Sequence, residues 1–314
     1  MRAAILELLK SQEQISGELI SSKLHISRAA VAKHIKILRQ AGYQIEASPK
    51  TGYRLIGSAD ILSEAELTPL LNPRDLWKIH CFAELPSTNT HLRKLAEQNA
   101  ADHTIIIAEQ QTAGQGRLNR SWYSENRKSL LTSLLLRPPI PPTAARTITL
   151  TTAIAICTAL RKLGIDAWIK WPNDILSGSG KKLCGIKSEM RCDMDNTEWL
   201  IVGIGLNINN QDFPDELPHA SSLFLEQHQL FNRAEVAADC YNSFQHYYQI
   251  LLEQGFEALR CQWLALAVSI GQEVTISSLD SLVCGIATDI DQEGSLLLKT
   301  EGQIRRINCG DMLI

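Results

Sequence analysis

A segment that follows a buried strand pattern combines two glycines with nearby arginines. Residues 109–122 read Glu-Gln-Gln-Thr-Ala-Gly-Gln-Gly-Arg-Leu-Asn-Arg-Ser-Trp. Gly114 and Gly116 allow the backbone to approach a ligand closely, and Arg117 and Arg120 supply fixed positive charge. The segment lacks both the Lys-Ser/Thr ending of a P-loop and the spacing of a dinucleotide-binding loop. It predicts an anion-binding loop, with a flexible turn as the alternative.

Two further segments place cations, amides and a carboxylate where predicted strands end. Residues 170–174 read Lys-Trp-Pro-Asn-Asp, so a strand runs into a turn that proline restricts. Residues 181–186 read Lys-Lys-Leu-Cys-Gly-Ile, and residues 202–209 read Val-Gly-Ile-Gly-Leu-Asn-Ile-Asn. Polar side chains in such turns suit a binding site, and a purely structural turn is the alternative.

The N-terminal region is basic although the whole chain is slightly acidic. Residues 1–57 hold nine Lys/Arg and four Glu, a net charge of +5, whereas the 314-residue chain carries −3. The remainder of the chain therefore carries −8. This distribution predicts an anionic partner for the N-terminal region alone.

The same region has the pattern of a winged helix-turn-helix. A short helix is predicted over 17–23, and Ser27 then caps a basic helix over 28–39. Residues 43–55 predict a β-hairpin, which would be the wing. Three residues at i, i+4 and i+7 form the apolar stripe of the basic helix: Val31, Ile35 and Leu38.

In a helix-turn-helix, the first residues of the second helix enter the major groove. The residues expected to meet base edges are Ser27, Arg28, Ala29 and Ala30. The residues expected to reach phosphates are Lys33, His34 and, on the wing, Lys50. A basic module that contacts only another protein is the alternative.

The composition, with 45% hydrophobic and 21% charged residues, is that of an ordinary soluble protein. We find no apolar run close to the roughly 18 residues of a membrane span. Glu7 and Lys10 interrupt the apolar N-terminus, so we expect a cytoplasmic protein without a membrane segment. The eight cysteines are scattered without a Cys-x-x-Cys pair, which predicts reduced thiols and no metal site.

The body of the chain mixes strands and helices beyond residues 58–66, a polar stretch that predicts a hinge. Predicted strands are 78–82, 104–109, 130–136, 167–170, 187–191 and 200–206. Predicted helices are 89–99, 143–163, 233–254 and 255–265. This mixture favours an α+β domain whose sheet is covered by helices on one face. Strands at 273–277, 282–289, 295–299 and 303–308 then suggest a small SH3-like β-barrel.

In their order and spacing, these motifs resemble those of the biotin protein ligase family. The matching segments are Ser-Thr-Asn at 87–89, the 109–122 loop, "KWPND", "KKLCGI" and "GIGLNIN". With the winged helix in front, the chain resembles the family's bifunctional ligase/repressors over its whole length. The resemblance implies a multidomain α+β chain: a DNA-binding winged helix-turn-helix (1–60), a biotin/ATP-binding catalytic domain with a mixed sheet (65–267) and an SH3-like C-terminal β-barrel (268–314).

The resemblance also implies roles for individual residues. The implied biotin-binding residues are Ser87, Thr88, Asn89, Gln111, Gln115, Gly116, Arg117 and Lys182, of which Arg117 and Lys182 are also the catalytic pair. The implied ATP and adenylate residues are Gly114, Arg120, Lys170, Asp174 and Asn207.

The chain departs from the family pattern at two places. Gln115 stands where the commonest form of the loop has arginine, and Asn119-Arg120 stands where it has Gly-Arg. Gln115 can still hydrogen-bond biotin, but one positive charge near the phosphates is missing. Residues 220–223, Ala-Ser-Ser-Leu, offer no aromatic side chain on the adenine side.

The implied reaction joins biotin to a lysine in two steps, through biotinyl-5′-AMP, with biotin, ATP and Mg²⁺ as substrates and cofactor. The implied partners are a biotin carboxyl carrier domain, operator DNA and, with the adenylate bound, a second copy of the chain. Three alternatives stay open at this point: a ligase whose winged helix does not repress, a ligand-sensing transcription factor without catalysis, and a lipoate-type ligase.

Overall fold

The computed structural model describes residues 1–40, 42–48, 51–57, 60–193, 196–278 and 282–313. A helical head, a seven-stranded sheet and a five-stranded sheet follow one another along the chain. The elements of the head are α1 (Arg2–Ser11), α2 (Gly17–Leu24), α3 (Arg28–Gln40), β1 (Gln44–Ser48) and β2 (Gly52–Gly57).

The head is a helix-turn-helix with a two-stranded wing, as the sequence predicts. Ser16 caps α2 and Ser27 caps α3, each accepting a backbone N–H hydrogen bond, at 3.0 and 3.1 Å. Tyr53 of β2 pairs with Ile15, between α1 and α2, through two backbone hydrogen bonds of 2.8 and 2.9 Å. The predicted stripe of α3 is buried in an apolar core that belongs to the head: Val31, Ile35 and Leu38.

The segment 60–67 joins the head to the body and is packed against both. It includes the short helix α4 (Glu64–Leu67). Leu62 is buried, and the nearly buried carboxylate of Glu66 pairs with Lys10 of α1. The hinge prediction is wrong for the described part of this stretch, because apolar side chains and paired acids hold it in place.

The central sheet has the order β3-β4-β5-β9-β8-β7-β6. Neighbours β3 and β4 run parallel and the other described pairs are antiparallel, so the predicted mixed sheet is confirmed. Its strands are β3 (Lys78–Phe82), β4 (Thr104–Ala108), β5 (Ser129–Leu136), β6 (Ala167–Lys170), β7 (Asp174–Ser177), β8 (Lys182–Asp193) and β9 (Asn196–Asn207).

Helices cover both faces of this sheet, so the expectation of a single covered face is wrong. Its helices are α5 (Thr88–Glu97), α6 (Ala145–Lys162), α7 (Leu223–Gln227), α8 (Arg233–Gln254) and α9 (Glu257–Leu266). The long helices α6 and α8 form the main core on one face, and α5 packs on the other over β4, β5 and β9. Every residue of β4 and β5 is buried, which is typical of strands covered on both sides. Beside α5, the glycine-rich parts of β8 and β9 line a cleft.

The segment 142–162 is long and apolar enough to cross a membrane by length and composition alone, with a mean hydropathy of 1.3. We did not expect such a segment from the sequence. In the structure, 72% of its most apolar window is buried inside the protein, where α6 packs against α8 and the sheet. The core therefore accounts for its composition.

The C-terminal sheet is antiparallel with the order β13-β12-β11-β10-β14. Its strands are β10 (Glu273–Ser277), β11 (Leu282–Ile290), β12 (Leu296–Thr300), β13 (Gln303–Ile307) and β14 (Asp311–Leu313). The four predicted strands are present. The fifth strand, β14, is not predicted, because its three residues are too few to show an alternating pattern. Val274, Ile290 and Leu298 belong to the same buried cluster as α6 and α8, so this sheet shares the core of the body.

Strand β7 is not predicted by the sequence, because residues 171–174 look like a turn alone. Lys170 pairs with Asp174 across that turn, which makes β6 and β7 a tight hairpin at the end of the sheet. The hairpin places two polar residues of the predicted site, Lys170 and Asp174, directly opposite each other.

Because the head and the body have separate cores, matched core substitutions should unfold them separately. All six tryptophans lie at residue 77 or beyond, so their fluorescence reports the body only. Leu298→Ala should lower the free energy of unfolding of the body by about 2–5 kcal/mol, which shifts the tryptophan transition in urea. Ile35→Ala should shift only the unfolding transition of the head, which circular dichroism records. A tryptophan midpoint that moves equally in both variants would contradict this division.

Candidate functional site

The polar turn Ser87-Thr88-Asn89 begins α5 at the cleft. Ser87 caps the helix by accepting the Thr90 N–H at 3.4 Å. Thr88 donates its N–H and its hydroxyl to Oε1 of Gln111, at 2.7 and 3.0 Å. The structure therefore brings together the predicted turn and the predicted glutamine, and each orients the other.

The Asn89 side chain continues this network across the sheet. Its Oδ1 lies 2.6 Å from the Ser133 hydroxyl, and its Nδ2 donates to Glu189 at 3.0 Å. Glu189 also pairs with Lys187, at 3.3 Å. Lys187 lines the cleft, and the sequence analysis missed these three partners because each lies in a strand pattern without a motif. The result is a fixed array of donors and acceptors that suits a small polar ring.

Three glycines form the floor of the cleft. A Cβ at Gly203 would lie 2.2 Å from Oδ1 of Asn89, and one at Gly205 would lie 2.5 Å from Cε2 of Trp122. A Cβ at Gly185 would lie 2.9 Å from the same indole ring. Side chains at these positions would therefore exclude both Asn89 and the indole. The spacing of glycines in this segment reflects that close approach.

Trp122 is the main residue that the sequence analysis quoted without assigning a role. Its indole covers Gly185 and Gly205, and its buried Nε1 has no hydrogen-bond partner among the described residues. The cleft under it measures about 40 Å³, enough for a few water molecules only. A ligand with a bicyclic ring must therefore displace the indole or its loop.

The anion-binding loop folds into a small hairpin over the cleft. Gln115 pairs with Ser121, and the Trp122 N–H donates to the Gly114 carbonyl at 2.9 Å. Gly116 donates its N–H to the Arg120 carbonyl at 2.7 Å. Of these residues, Gln115 and Trp122 line the cleft.

The arginines of this loop reach the C-terminal sheet. Arg117 lies 3.3 Å from Asp311 of β14 and donates to the Gly310 carbonyl at 3.1 Å and to Asn173 at 3.0 Å. Arg120 lies 2.7 Å from the second oxygen of Asp311. Nothing in the local sequence singled out Asp311, because only the tertiary fold brings it to the loop.

Two lysines complete a cluster of positive charge beside the loop. Lys182 lies 2.7 Å from Asp174, and its ammonium group lies 5.6 Å from the centre of the Trp122 ring. Burial is the main cause of the lowered pKa of Lys170. The positive charge of Lys182 lowers this pKa further, whereas the carboxylate of Asp174 partly raises it. The cluster holds four cations, Arg117, Arg120, Lys170 and Lys182, and two carboxylates, Asp174 and Asp311. Its excess positive charge suits a ligand with several negative charges.

Asn207 is buried behind the start of β8 and donates to the Ser221 carbonyl at 3.0 Å. Lys182 pairs with Ala220 in the same segment. Asn207 therefore holds the residues that the resemblance placed on the adenine side.

In the described residues, no group of three or more His, Cys, Asp or Glu side chains could hold a metal ion. The eight cysteines, all of which are described, are free thiols. A cation that accompanies a phosphate ligand could meet Asp174, since Mg²⁺ usually takes one or two carboxylates besides phosphate oxygens.

The predicted DNA-contacting residues lie together at the start of α3. Ser27, Arg28, Ala29 and Lys33 are exposed, whereas Ala30 and His34 are half-buried. Lys50 of the wing lies outside the described residues.

Family comparisons match all three parts of the chain. Residues 81–207 match the family described as "Biotin/lipoate A/B protein ligase family". Residues 2–54 match "HTH domain", and residues 269–314 match "Biotin protein ligase C terminal domain".

Whole-chain relatives and a solved structure agree with these matches. The "Bifunctional ligase/repressor BirA" of Bacillus subtilis is 38% identical over 99% of this chain and 98% of its own. The protein with the same description from Escherichia coli is 29% identical over 96% of this chain and 93% of its own. A biotin protein ligase from Aquifex aeolicus, solved with biotin and ATP, is 26% identical, covers 75% of this chain and 97% of its own, and superposes with a TM-score of 0.65. The chain belongs to the biotin protein ligase family, in the form that carries an N-terminal helix-turn-helix.

Proposed function

We propose that the chain is a biotin protein ligase that forms biotinyl-5′-AMP and transfers biotin to a lysine of a biotin carboxyl carrier domain. The observation that carries this proposal is that a cleft lined by polar side chains adjoins a cluster of cations. The polar turn at Ser87, Thr88 and Asn89 suits the ureido ring of biotin. The ammonium group of Lys182 lies 5.6 Å from the centre of the Trp122 ring, and Arg117 belongs to the same hairpin as Trp122, so a carboxylate and phosphates would follow there.

In the first step, a carboxylate oxygen of biotin attacks the α-phosphorus of ATP and pyrophosphate leaves. Arg117 and Lys182 would neutralise the charge that develops on the phosphate oxygens. Gln111, Gln115 and Gly116 would hold biotin, and Gly114, Arg120, Lys170, Asp174 and Asn207 would hold the nucleotide side. Asp174 would help to hold a Mg²⁺ ion that accompanies ATP, and the ion would supply further charge neutralisation at the phosphates.

In the second step, the ε-amine of the acceptor lysine attacks the carbonyl carbon of the mixed anhydride and AMP leaves. No nucleophile from the chain is required in either step, so alignment of the reacting groups supplies much of the catalysis. The 114–122 hairpin would shield the anhydride from water.

In the structure, Asp174 pairs with Lys182, and Asp311 pairs with Arg117 and Arg120. Substrate carboxylate and phosphate oxygens would replace them on Lys182 and on the two arginines. Such an exchange keeps Lys182, Arg117 and Arg120 paired with an anion both before and after the substrates bind.

We further propose a biotin-responsive repressor function for the head, which would bind operator DNA through Ser27, Arg28, Ala29 and Ala30. The exposed start of α3 and the basic charge of residues 1–57 support it. Lys33, His34 and Lys50 would contact phosphates. Adenylate-dependent pairing of two copies would join two heads on two half-sites, which raises DNA affinity.

The proposed domain boundaries are 1–60, 65–267 and 268–314. The packed segment after the head and the separate head core support the first boundary.

For the C-terminal part, five antiparallel strands with a bulge between Ala287 and Asp289 support closure into an SH3-like barrel. We also propose a cytoplasmic location, because the reaction needs ATP and a biotin carboxyl carrier domain in the same compartment.

Incubation with ATP, biotin and a carrier domain, followed by a streptavidin blot, tests the ligase. The chain should label the carrier at one lysine, and lipoate should not replace biotin. In Arg117→Ala, biotinyl-5′-AMP should leave at least about tenfold faster, because charge-assisted hydrogen bonds contribute about 1.5–3 kcal/mol each. Arg191→Ala removes an exposed arginine paired with Glu198 on the β8–β9 hairpin and should leave release unchanged. No labelling by the wild-type chain would overturn the proposal.

The glycine floor predicts a second result. Gly205→Ala should displace the Trp122 indole and weaken biotin binding, because the added Cβ would lie 2.5 Å from the ring. Gly57→Ala is the matched control, since the nearest atom to its Cβ lies at 3.6 Å. Isothermal titration with biotin measures the affinity, and tryptophan fluorescence reports the indole. Equal affinities in the two variants would show that the indole does not depend on bare backbone at Gly205.

Footprinting of a biotin-synthesis promoter, with and without biotin and ATP, tests the repressor. Arg28→Ala should lose about 1–3 kcal/mol of discrimination at one base pair. Lys36→Ala removes the same charge from an exposed position later on α3 and should weaken binding to all sequences alike. Protection in neither condition would leave the head as an accessory of the ligase.

A further inference from the structure

Glu109 anchors both ends of the segment that covers the cleft. Its N–H donates to the Phe82 carbonyl at 2.9 Å, and its carbonyl accepts the Arg127 N–H at 3.1 Å. Residues 110–126 therefore leave and return to the sheet at one residue. A movement of either end of this segment therefore bears directly on Glu109.

The Glu109 side chain does not line the cleft and is shared by the linker and α8. Its Oε1 accepts the Leu62 N–H at 3.1 Å, and its Oε2 accepts from Nη1 of Arg233 at 2.6 Å. Leu62 lies in the segment 60–67 that joins the head to the body. The residue that closes the ligand loop thus also binds the linker directly.

Arg233 connects the same carboxylate to a second residue of the linker. Its side chain is completely buried, and its Nε lies 2.8 Å from Oδ2 of Asp60. Its backbone N–H donates to the other Asp60 oxygen at 3.1 Å, and its Nη2 donates to the Asp60 carbonyl at 2.6 Å. Asp60, Glu109 and Arg233 form a coupling cluster in which one buried cation holds two carboxylates. Shifting Arg233 would leave the nearly buried carboxylate of Glu109 without its cation, which is strongly unfavourable.

The linker is bound to the head as well as to the body. The Tyr43 hydroxyl lies 3.2 Å from the Ser63 hydroxyl, and Lys10 pairs with Glu66. Ile61 and Ala65 pack into the core of the head. A shift of the linker therefore carries the head with it.

We propose that the coupling cluster transmits occupancy of the cleft to the DNA-binding head, so that ordering of residues 110–126 by ligand changes the position and mobility of the head through Glu109, Arg233 and Asp60. The inference rests on the proposed function, because it assigns a regulatory role to that same ligand site. Asp60, Glu109 and Arg233 are positioning residues, since none of them lines the cleft.

Hydrogen exchange on the full chain tests the coupling, with biotin and ATP as the probe. Ligand should slow exchange of the amides at 60–67 about tenfold, a size typical of allosteric coupling. Asp60→Asn should abolish this effect, because the amide nitrogen of asparagine would face the donors of Arg233 and Asn209. Glu198→Gln makes the same acid-to-amide change in an exposed ion pair of the β8–β9 hairpin and should respond like the wild type.

Two further readouts distinguish coupling from a merely structural role. In Asp60→Asn, the rate of biotinyl-5′-AMP formation should stay within about twofold of the wild type, well below the usual range of allosteric couplings, while the gain in DNA affinity on adding biotin and ATP disappears. Tyr43→Phe, which removes one hydroxyl between the head and Ser63, should reduce this gain without shifting the thermal unfolding midpoint of the body.

The outcomes separate the two proposals. Wild-type protein that forms no biotinyl-5′-AMP overturns the proposed function and this inference with it. Wild-type protein that forms the adenylate without a change in exchange at 60–67 overturns the inference alone. An Asp60→Asn variant that keeps the full ligand response also overturns it, because the signal would then bypass the coupling cluster.

Discussion

The bare backbone of β8 and β9 is the constraint on which the rest of the site depends. Asn89 and Trp122 both lie closer to the sheet than any side chain at Gly185, Gly203 or Gly205 would permit. The polar turn of α5 and the hairpin of the anion-binding loop can therefore share one patch of sheet. Since α5 covers the neighbouring strands, the cleft is confined to the glycine-rich ends of β8 and β9.

Electrostatic pairing then joins the site to the rest of the molecule. The loop arginines pair with Asp311, so the C-terminal sheet helps to hold the loop that covers the cleft. The opposite end of the same loop depends on Glu109 and Arg233, which reach the linker of the head. The segment that covers the cleft therefore contacts the C-terminal sheet through Arg117 and is joined to the linker of the head through Glu109.

The long periodic elements and the ordered motifs were predictable, because local spacing of apolar residues and glycines is enough to specify them. Strand β14 and the pairing of β7 were not, since short strands show too little alternation and depend on their neighbours. The expected hinge at 58–66 looked flexible because its residues are polar. Glu66 and Asp60 are acidic, but both are paired with cations distant in sequence, and the described part of the segment is held in place.

The sequence by itself determined the family resemblance, the basic head, the polar turn at Ser87, Thr88 and Asn89, and the loop with its arginines. Only the tertiary structure decided what those residues face. Trp122 over the glycine floor, Asp311 against Arg117 and Arg120, and Arg233 between Asp60 and Glu109 all join residues distant along the chain. Such contacts leave no periodic signal, because they depend on packing between elements rather than on the conformation of any one of them.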